Sequence, residues 1–143
     1  MTVKFEPLPP DLEAAIRERL ENNPFVKFME IAVPALGRGY ARFVLPFRPE
    51  LLNSQGFLQG GVMAALADEA VAYALFSLTA PGEQISTVEM KINFLGAVKE
   101  GEVEALARIA KRGRTISLGE FTVQQADRLV AKGLCTYIHL GGK

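Results

Sequence analysis

Polar and apolar positions alternate along this chain with two different periods. Behind Pro9 and Pro10, Leu12, Ile16 and Leu20 recur every four residues, which predicts a short amphipathic helix over about 10–22 with Asp11 as its N-cap. Phe25 to Val33 and Tyr40 to Phe47 are rich in β-branched and aromatic residues and flank Gly37-Arg-Gly39, as two strands joined by a tight turn would be. Leu51-Leu-Asn-Ser-Gln-Gly56 reads as a loop, and it leads to Gly60-Gly61 and an apolar run reaching Leu78. That run is apolar all round, so it predicts a buried helix, with Pro81-Gly82 closing it. Ile85 to Phe94, Val103 to Ala110, Thr115 to Gln124 and Leu129 to Leu140 follow as four strands, the last three forming an antiparallel meander. One apolar helix with about six strands predicts an α+β fold in which a curled antiparallel sheet wraps that helix.

Composition narrows the class. A chain of 143 residues, 49% hydrophobic and 22% charged, is the size of one domain and can bury a core. Its 16 basic and 16 acidic residues cancel, so no overall field draws it to nucleic acid or an anionic membrane, and neither partner is expected. Asp68 and Glu69 interrupt the longest apolar stretch and make it a poor membrane span. The single cysteine, Cys135, can form no internal disulfide, and the N-terminal residues lack a basic-then-apolar signal; a cytoplasmic location is the expectation. One histidine and one cysteine cannot supply the usual nitrogen and sulfur ligands, so neither a metal nor another cofactor is expected.

The chemistry concentrates in residues 53–69. Two glycines open the helix, where the first N–H groups have no intrahelical partner and can donate to an oxygen acquiring negative charge. A carboxylate two turns further on is costly to bury on an apolar helix, and its retention points to a base or nucleophile. Gly60 and Asp68 lie roughly 12 Å apart at ~1.5 Å per residue, too far for one carbonyl to touch both. Two chains paired about a twofold axis with antiparallel helices would bring the glycine end of one to the carboxylate of the other. Glu69 is the rival carboxylate, turned ~100° away, and only one of the two is expected to face the site. Plainer readings stand beside these: the glycines as a simple turn, Asp68 paired with a basic neighbour, and Met63 and Tyr73 as core.

The order Asn53, then Gln59-Gly60-Gly61, then Leu66-Ala67-Asp68 resembles the hotdog thioesterases of the phenylacetate-degradation (PaaI-like) type, whose motif is Asn, His-Gly-Gly and a helical Asp at the same spacings. The resemblance covers about residues 25 to 140 and includes Thr87 to Phe94, Gly101 to Ala105, Leu129 to Gly133 and Thr136-Tyr137. It implies a single hotdog domain over 1–143, assembled as a homodimer or homotetramer, that hydrolyses an acyl-CoA thioester at a dimer interface. By position, the Gly60 N–H would polarise the carbonyl and Asp68 of the partner chain would activate water or attack directly. Asn53 would orient water or thioester, and Thr87 would hold the water. Gln59, Gly61 and Phe57 would contact substrate.

Two departures from that pattern matter. Gln59 stands where the family has histidine, and an amide cannot carry a proton at neutral pH, so acid–base work there is excluded while orientation survives. Ala72 supplies no hydroxyl one turn after the carboxylate, which gives Thr87 more weight. Dehydratases of the same fold need a histidine near the motif, and the only one, His139, is far along the chain. A non-catalytic acyl-CoA binding or sensing domain is the alternative. Lys111-Arg112-Gly113-Arg114 forms a basic turn in which Arg112 and Arg114 could hold coenzyme phosphates, or a solvated hairpin.

Overall fold

The apolar run after the paired glycines does form one helix, α3, spanning Gly60–Phe76, with Leu66, Ala67, Ala70, Val71, Ala74 and Leu75 buried around its circumference. Such a helix must be enclosed, and the strands enclose it. The computed structural model describes residues 4–141; the first three and last two residues of the expected domain lie outside the described residues.

Before α3 come α1 (Pro10–Glu21), α2 (Pro24–Phe28), β1 (Ala32–Gly37) and β2 (Tyr40–Leu45), then a 3-10 turn at Pro49–Leu51. After it come β3 (Gln84–Phe94), β4 (Val103–Lys111), β5 (Ile116–Gln125) and β6 (Arg128–Leu140). These strands form one six-stranded sheet in the order β1-β2-β4-β5-β6-β3, every neighbouring pair antiparallel. Inward positions Ala41, Phe43 and Leu45 of β2, Val103, Ala105 and Ala107 of β4, and Phe121 and Val123 of β5 are almost fully buried. With α3 they make the core, in the expected hotdog arrangement. Gly119 lets helix and sheet close up: a Cβ there would lie 2.3 Å from Val71 Cγ1.

Two sequence expectations are corrected. Pro9, not Asp11, is the N-cap of α1; Pro10 takes the first helical position, which its fixed φ suits, and Asp11 with Glu13 lies in the first turn against the helix dipole. The expected strand at Phe25 to Val33 is instead α2, followed by β1. Asn23 caps α2 by accepting from the Val26 N–H at 3.1 Å, and Pro24 occupies the first turn, so local capping overrides β propensity. Pro34 then falls in β1, an edge strand with an irregular register between Ala32 and Ala35, where a missing N–H is tolerated.

The loop after α3 is fastened by a polar clamp. The Arg112 guanidinium grips both oxygens of Glu83 at 2.9 and 3.0 Å and donates to the Leu78 carbonyl at 3.2 Å. His139 Nδ1 lies 2.7 Å from Glu83 Oε1, and its Nε2 lies 2.7 Å from Ser117 Oγ. With the ring proton on Nδ1, Nε2 accepts from the Ser117 hydroxyl. Burial pushes the Glu83 carboxyl up, but the Ala80 N–H, Arg112 and His139 outweigh it and hold the group below its ordinary value of 4.5. Its contribution to stability is therefore full above pH 4.5 and is lost as the pH falls through the lower folded-state value. His139→Ala, which strips a partner from both Ser117 and Glu83, should lower the unfolding free energy by about 1–3 kcal/mol in urea titrations. Glu83→Gln should flatten the acid limb of stability against pH.

Candidate active site

The approach to α3 is built by Asn53. Its Oδ1 accepts the N–H groups of Gln55 at 3.0 Å and Phe57 at 3.1 Å, and its own N–H donates to the Phe57 carbonyl at 2.7 Å. The loop is then anchored by Gln59 N–H on the Leu51 carbonyl (2.9 Å) and Leu58 N–H on the Val98 carbonyl (2.7 Å). Gln59 becomes the N-cap of α3, and its side chain makes no capping bond and is exposed. The N–H groups of Gly60 and Gly61 donate to no acceptor among the described residues, which leaves a pair of donors at the positive end of a buried helix dipole. The Phe94 ring closes over this end: a Cβ on Gly60 would sit 3.2 Å from its edge. Phe57 is half-buried, with Lys99 Nζ 5.8 Å from its ring.

Two turns along the helix, the Asp68 carboxylate meets two hydroxyls. Thr87 Oγ1 donates to Oδ1 at 2.8 Å, and the Tyr137 hydroxyl lies close against Oδ1 and 2.6 Å from the Asp68 carbonyl. Thr87 and Tyr137 are partners in the β3–β6 register and both face inward, so one cross-strand pair delivers both donors. They fix the carboxylate and leave Oδ2 with no hydrogen bond among the described residues. A carboxylate so held has one oxygen oriented and the other open to a proton or an electrophile.

Thr87 was legible as a neighbour of the site; Tyr137, named in the sequence only as part of the last strand, was not identified as a ligand of the carboxylate. The alternation Cys135, Tyr137, His139 on one face of β6 was the available signal. Burial and the Asp68 charge push the Tyr137 phenol well above its ordinary range, so it remains a donor. The same two causes push the fully buried Cys135 thiol up to about 12.

Asp68 opens into a cavity of about 220 Å³ whose walls also carry Glu69, Tyr73 and Phe76 of α3 with Arg19 and Asn23 of the N-terminal segment. Asp68 and Glu69 both line this cavity, with Ala72, Tyr73 and Phe76 on the same stripe of α3, so its lining does not single out one of the adjacent carboxylates. Burial raises the Glu69 pKa; Asn23, donating to Oε2 at 3.2 Å, opposes that rise, and the Asp68 charge adds to it. Met63 is core as expected, whereas Tyr73, also buried, extends its hydroxyl to Asn23 Nδ2 at 3.1 Å.

The basic turn lies beyond the other end of α3. Arg112 is engaged in the Glu83 clamp, while Arg114 is exposed. The clamp sets hydroxyl, imidazole and carboxylate in a row, as a serine hydrolase would. Ser117, however, is 1% exposed and its oxygen receives the Gly113 N–H at 3.1 Å, so it is a fastening rather than a nucleophile. Among the described residues no group of three His, Cys, Asp or Glu is placed to hold a metal, and no helix is long and apolar enough to cross a membrane.

The family model of the thioesterase superfamily matches residues 55–132, from the glycine loop through Asp68 and Thr87 into β6. The chain belongs to the thioesterase superfamily. Membership assigns it to the hydrolases. A Saccharolobus solfataricus protein provisionally named an esterase is 30% identical over 124 residues, covering 86% of this chain and 82% of its own. Among solved structures, a conserved protein of Pseudomonas aeruginosa is 35% identical with a TM-score of 0.79, over 82% of this chain and 94% of that one. A thioesterase family protein from Silicibacter pomeroyi is 26% identical with a TM-score of 0.86, over 92% and 99%. The PaaI protein of Escherichia coli, from the phenylacetic acid degradation operon, shares the fold of this superfamily member at 23% identity and a TM-score of 0.84, over 92% and 95%.

Cys135, at 0% exposure and with its thiol raised to about 12, should not react with a disulfide reagent at pH 8 in the native protein, and one thiol should titrate on unfolding.

Proposed function

We propose that this protein hydrolyses short acyl-CoA thioesters to the free acid and coenzyme A, at a site completed only when two copies pair. The observation that carries this reading is the Asp68 carboxylate, held at Oδ1 by the Thr87 and Tyr137 hydroxyls with Oδ2 left open.

Where the parts lie supports pairing. Gly60 sits against Phe94 at one end of β3 and Asp68 against Thr87 at the other, so helix and strand run in opposite directions. Strand β3 is an edge of the sheet, eleven residues long, with Val88 and Phe94 54% and 51% exposed. An edge of that length and character calls for a cover. A second β3 paired antiparallel about a twofold axis near Met90 supplies one, and it sets the Gly60 end of each chain beside the Asp68 end of the other.

In such a pair the Gly60 N–H donates to the thioester oxygen and polarises the carbonyl. Asp68 Oδ2 takes a proton from water as the water oxygen attacks the carbonyl carbon. Collapse of the tetrahedral intermediate breaks the C–S bond and releases coenzyme A as thiolate, which takes up a proton. Attack by Oδ2 itself, giving a mixed anhydride that water then opens, uses the same groups. Thr87, bonded to Oδ1, steadies the carboxylate and can share a hydrogen bond with the water. Asn53 acts through the loop it organises, and exposed Gln59 orients without carrying a proton. Gly61 adds a second donor, Phe57 flanks the entrance, and Arg114 remains for the coenzyme phosphates. The chemistry needs no cofactor, and a cytoplasmic location belongs to this reading.

Release of coenzyme A thiol from a panel of acyl-CoA esters tests it. Asp68→Asn should lower kcat by about 10²–10⁴, and Thr87→Ala by roughly tenfold. Saturable binding of every ester without release by the wild type would instead favour the sensing alternative. Sedimentation at micromolar concentration should show a dimer or a multiple of it; an active monomer would remove the shared site.

A further inference from the structure

Past Asp68, the cavity ends in a polar chamber, and its polar groups are fixed from outside the catalytic strands. Asn23 uses Oδ1 to cap α2 on the Val26 N–H, which turns Nδ2 toward Glu69 Oε2 at 3.2 Å and the Tyr73 hydroxyl at 3.1 Å. The Arg19 guanidinium lies over the Phe76 ring, 3.8 Å from its centre, at the same wall. Glu69 Oε1 accepts no hydrogen bond among the described residues. A half-buried acceptor without a donor lines a cavity that opens on the reacting carboxylate.

We infer that this chamber receives the acyl end of the thioester and selects short aliphatic acyl groups bearing a hydroxyl, which donates to Glu69. The inference rests on the thioesterase reading and names the substrate class of that same site. Three features favour it over other acyl groups. The cavity of one protomer measures about 220 Å³, below the usual ~300–1,000 Å³ of ligand pockets, which favours a small acyl group. An alkyl chain would cover Glu69, Asn23 and Tyr73 without bonding to them, which costs more than the apolar contact returns. An acid-tailed acyl group would meet Asp68 and Glu69 against the single Arg19, an excess of like charge.

The alternative role for Glu69 is an anchor for the N-terminal helices through Asn23, and kinetics separates the two. Rates are measured with butyryl-, 3-hydroxybutyryl-, 4-hydroxybutyryl- and succinyl-CoA, and binding of the same esters is measured on Asp68→Asn, which reports preference without turnover. The wild type should favour one of the hydroxybutyryl esters over butyryl by about tenfold or more in kcat/KM, the expected effect of a hydrogen bond to a charged group. Glu69→Leu should bring that ratio to within about twofold of unity, and Glu69→Gln should raise succinyl relative to butyryl. An anchor alone would shift the melting temperature and leave both ratios unchanged. Hydrolysis with no hydroxyl preference, or a preference that survives Glu69→Leu, overturns the chamber. No hydrolysis of any ester, with the preference intact in binding, overturns the thioesterase reading and keeps the chamber.

Discussion

The site depends on a carboxylate, Asp68, carried two turns into a helix whose other inward positions are apolar. Asp68 is half-buried, and a carboxylate partly withdrawn from water needs hydrogen-bond donors that its own helix cannot supply. The sheet does, through Thr87 and Tyr137, inward-facing partners in the β3–β6 register. Side chains alternate across a strand, so a slip of one residue by β3 against β6 would turn the Thr87 hydroxyl to the other face and strip that donor from the carboxylate. The sheet's register and the polar site are thus the same constraint. Cys135, one inward position away on β6, shares that environment, and burial, with the Asp68 charge adding to it, keeps it a thiol.

The same helix carries a second feature that it does not use itself. Gly60 and Gly61 present N–H donors at its start, while Asp68 lies two turns away, and a rigid helix cannot bend one to the other. In the proposed reading a second copy closes that distance. The edge strand β3 bears on both halves: Phe94 packs by Gly60, and Thr87 holds Asp68. Association through this strand would satisfy its unpaired backbone and join the two half-sites in one step, so dimer stability and catalysis would share a single surface.

How much of this was readable beforehand follows from the range of each interaction. The buried helix and the four strands after it were legible because their signals are local: an unbroken apolar run, and alternation punctuated by Gly and Pro. The segment at Phe25 to Val33 misled because its aromatic and β-branched content spoke for a strand. Asn23-Pro24 spoke for a helix start, and over five residues the capping bond outweighed propensity. Asp68, Gly60 and Thr87 were legible through their spacing and the family resemblance. The Tyr137 hydroxyl on that carboxylate was not, and Glu69 was named only as the rival of Asp68. The tyrosine lies 69 residues from Asp68, so its role depends on strand pairing, and the place of Glu69 on the cavity wall depends on how the N-terminal helices pack beside α3. The clamp of Glu83, Arg112, Ser117 and His139 was hidden for the same reason, since no two of its ion-paired members belong to one element.

That clamp explains why the donors to Asp68 keep their aim. Glu83 immediately precedes β3, and His139 pairs with Ile85 in the β3–β6 register, two positions from the Tyr137–Thr87 pair. Fixing Glu83 to His139 and Arg112 therefore pins the start of β3 within two residues of the groups that hold the carboxylate. At the far end, Phe94 rests on the glycine turn of α3. An edge strand has hydrogen-bonded support on one side only and is ordinarily the least constrained strand of a sheet. Here it is tied at both ends to the element it serves, so the free edge can be offered to a second copy without loosening the geometry of Thr87 and Asp68.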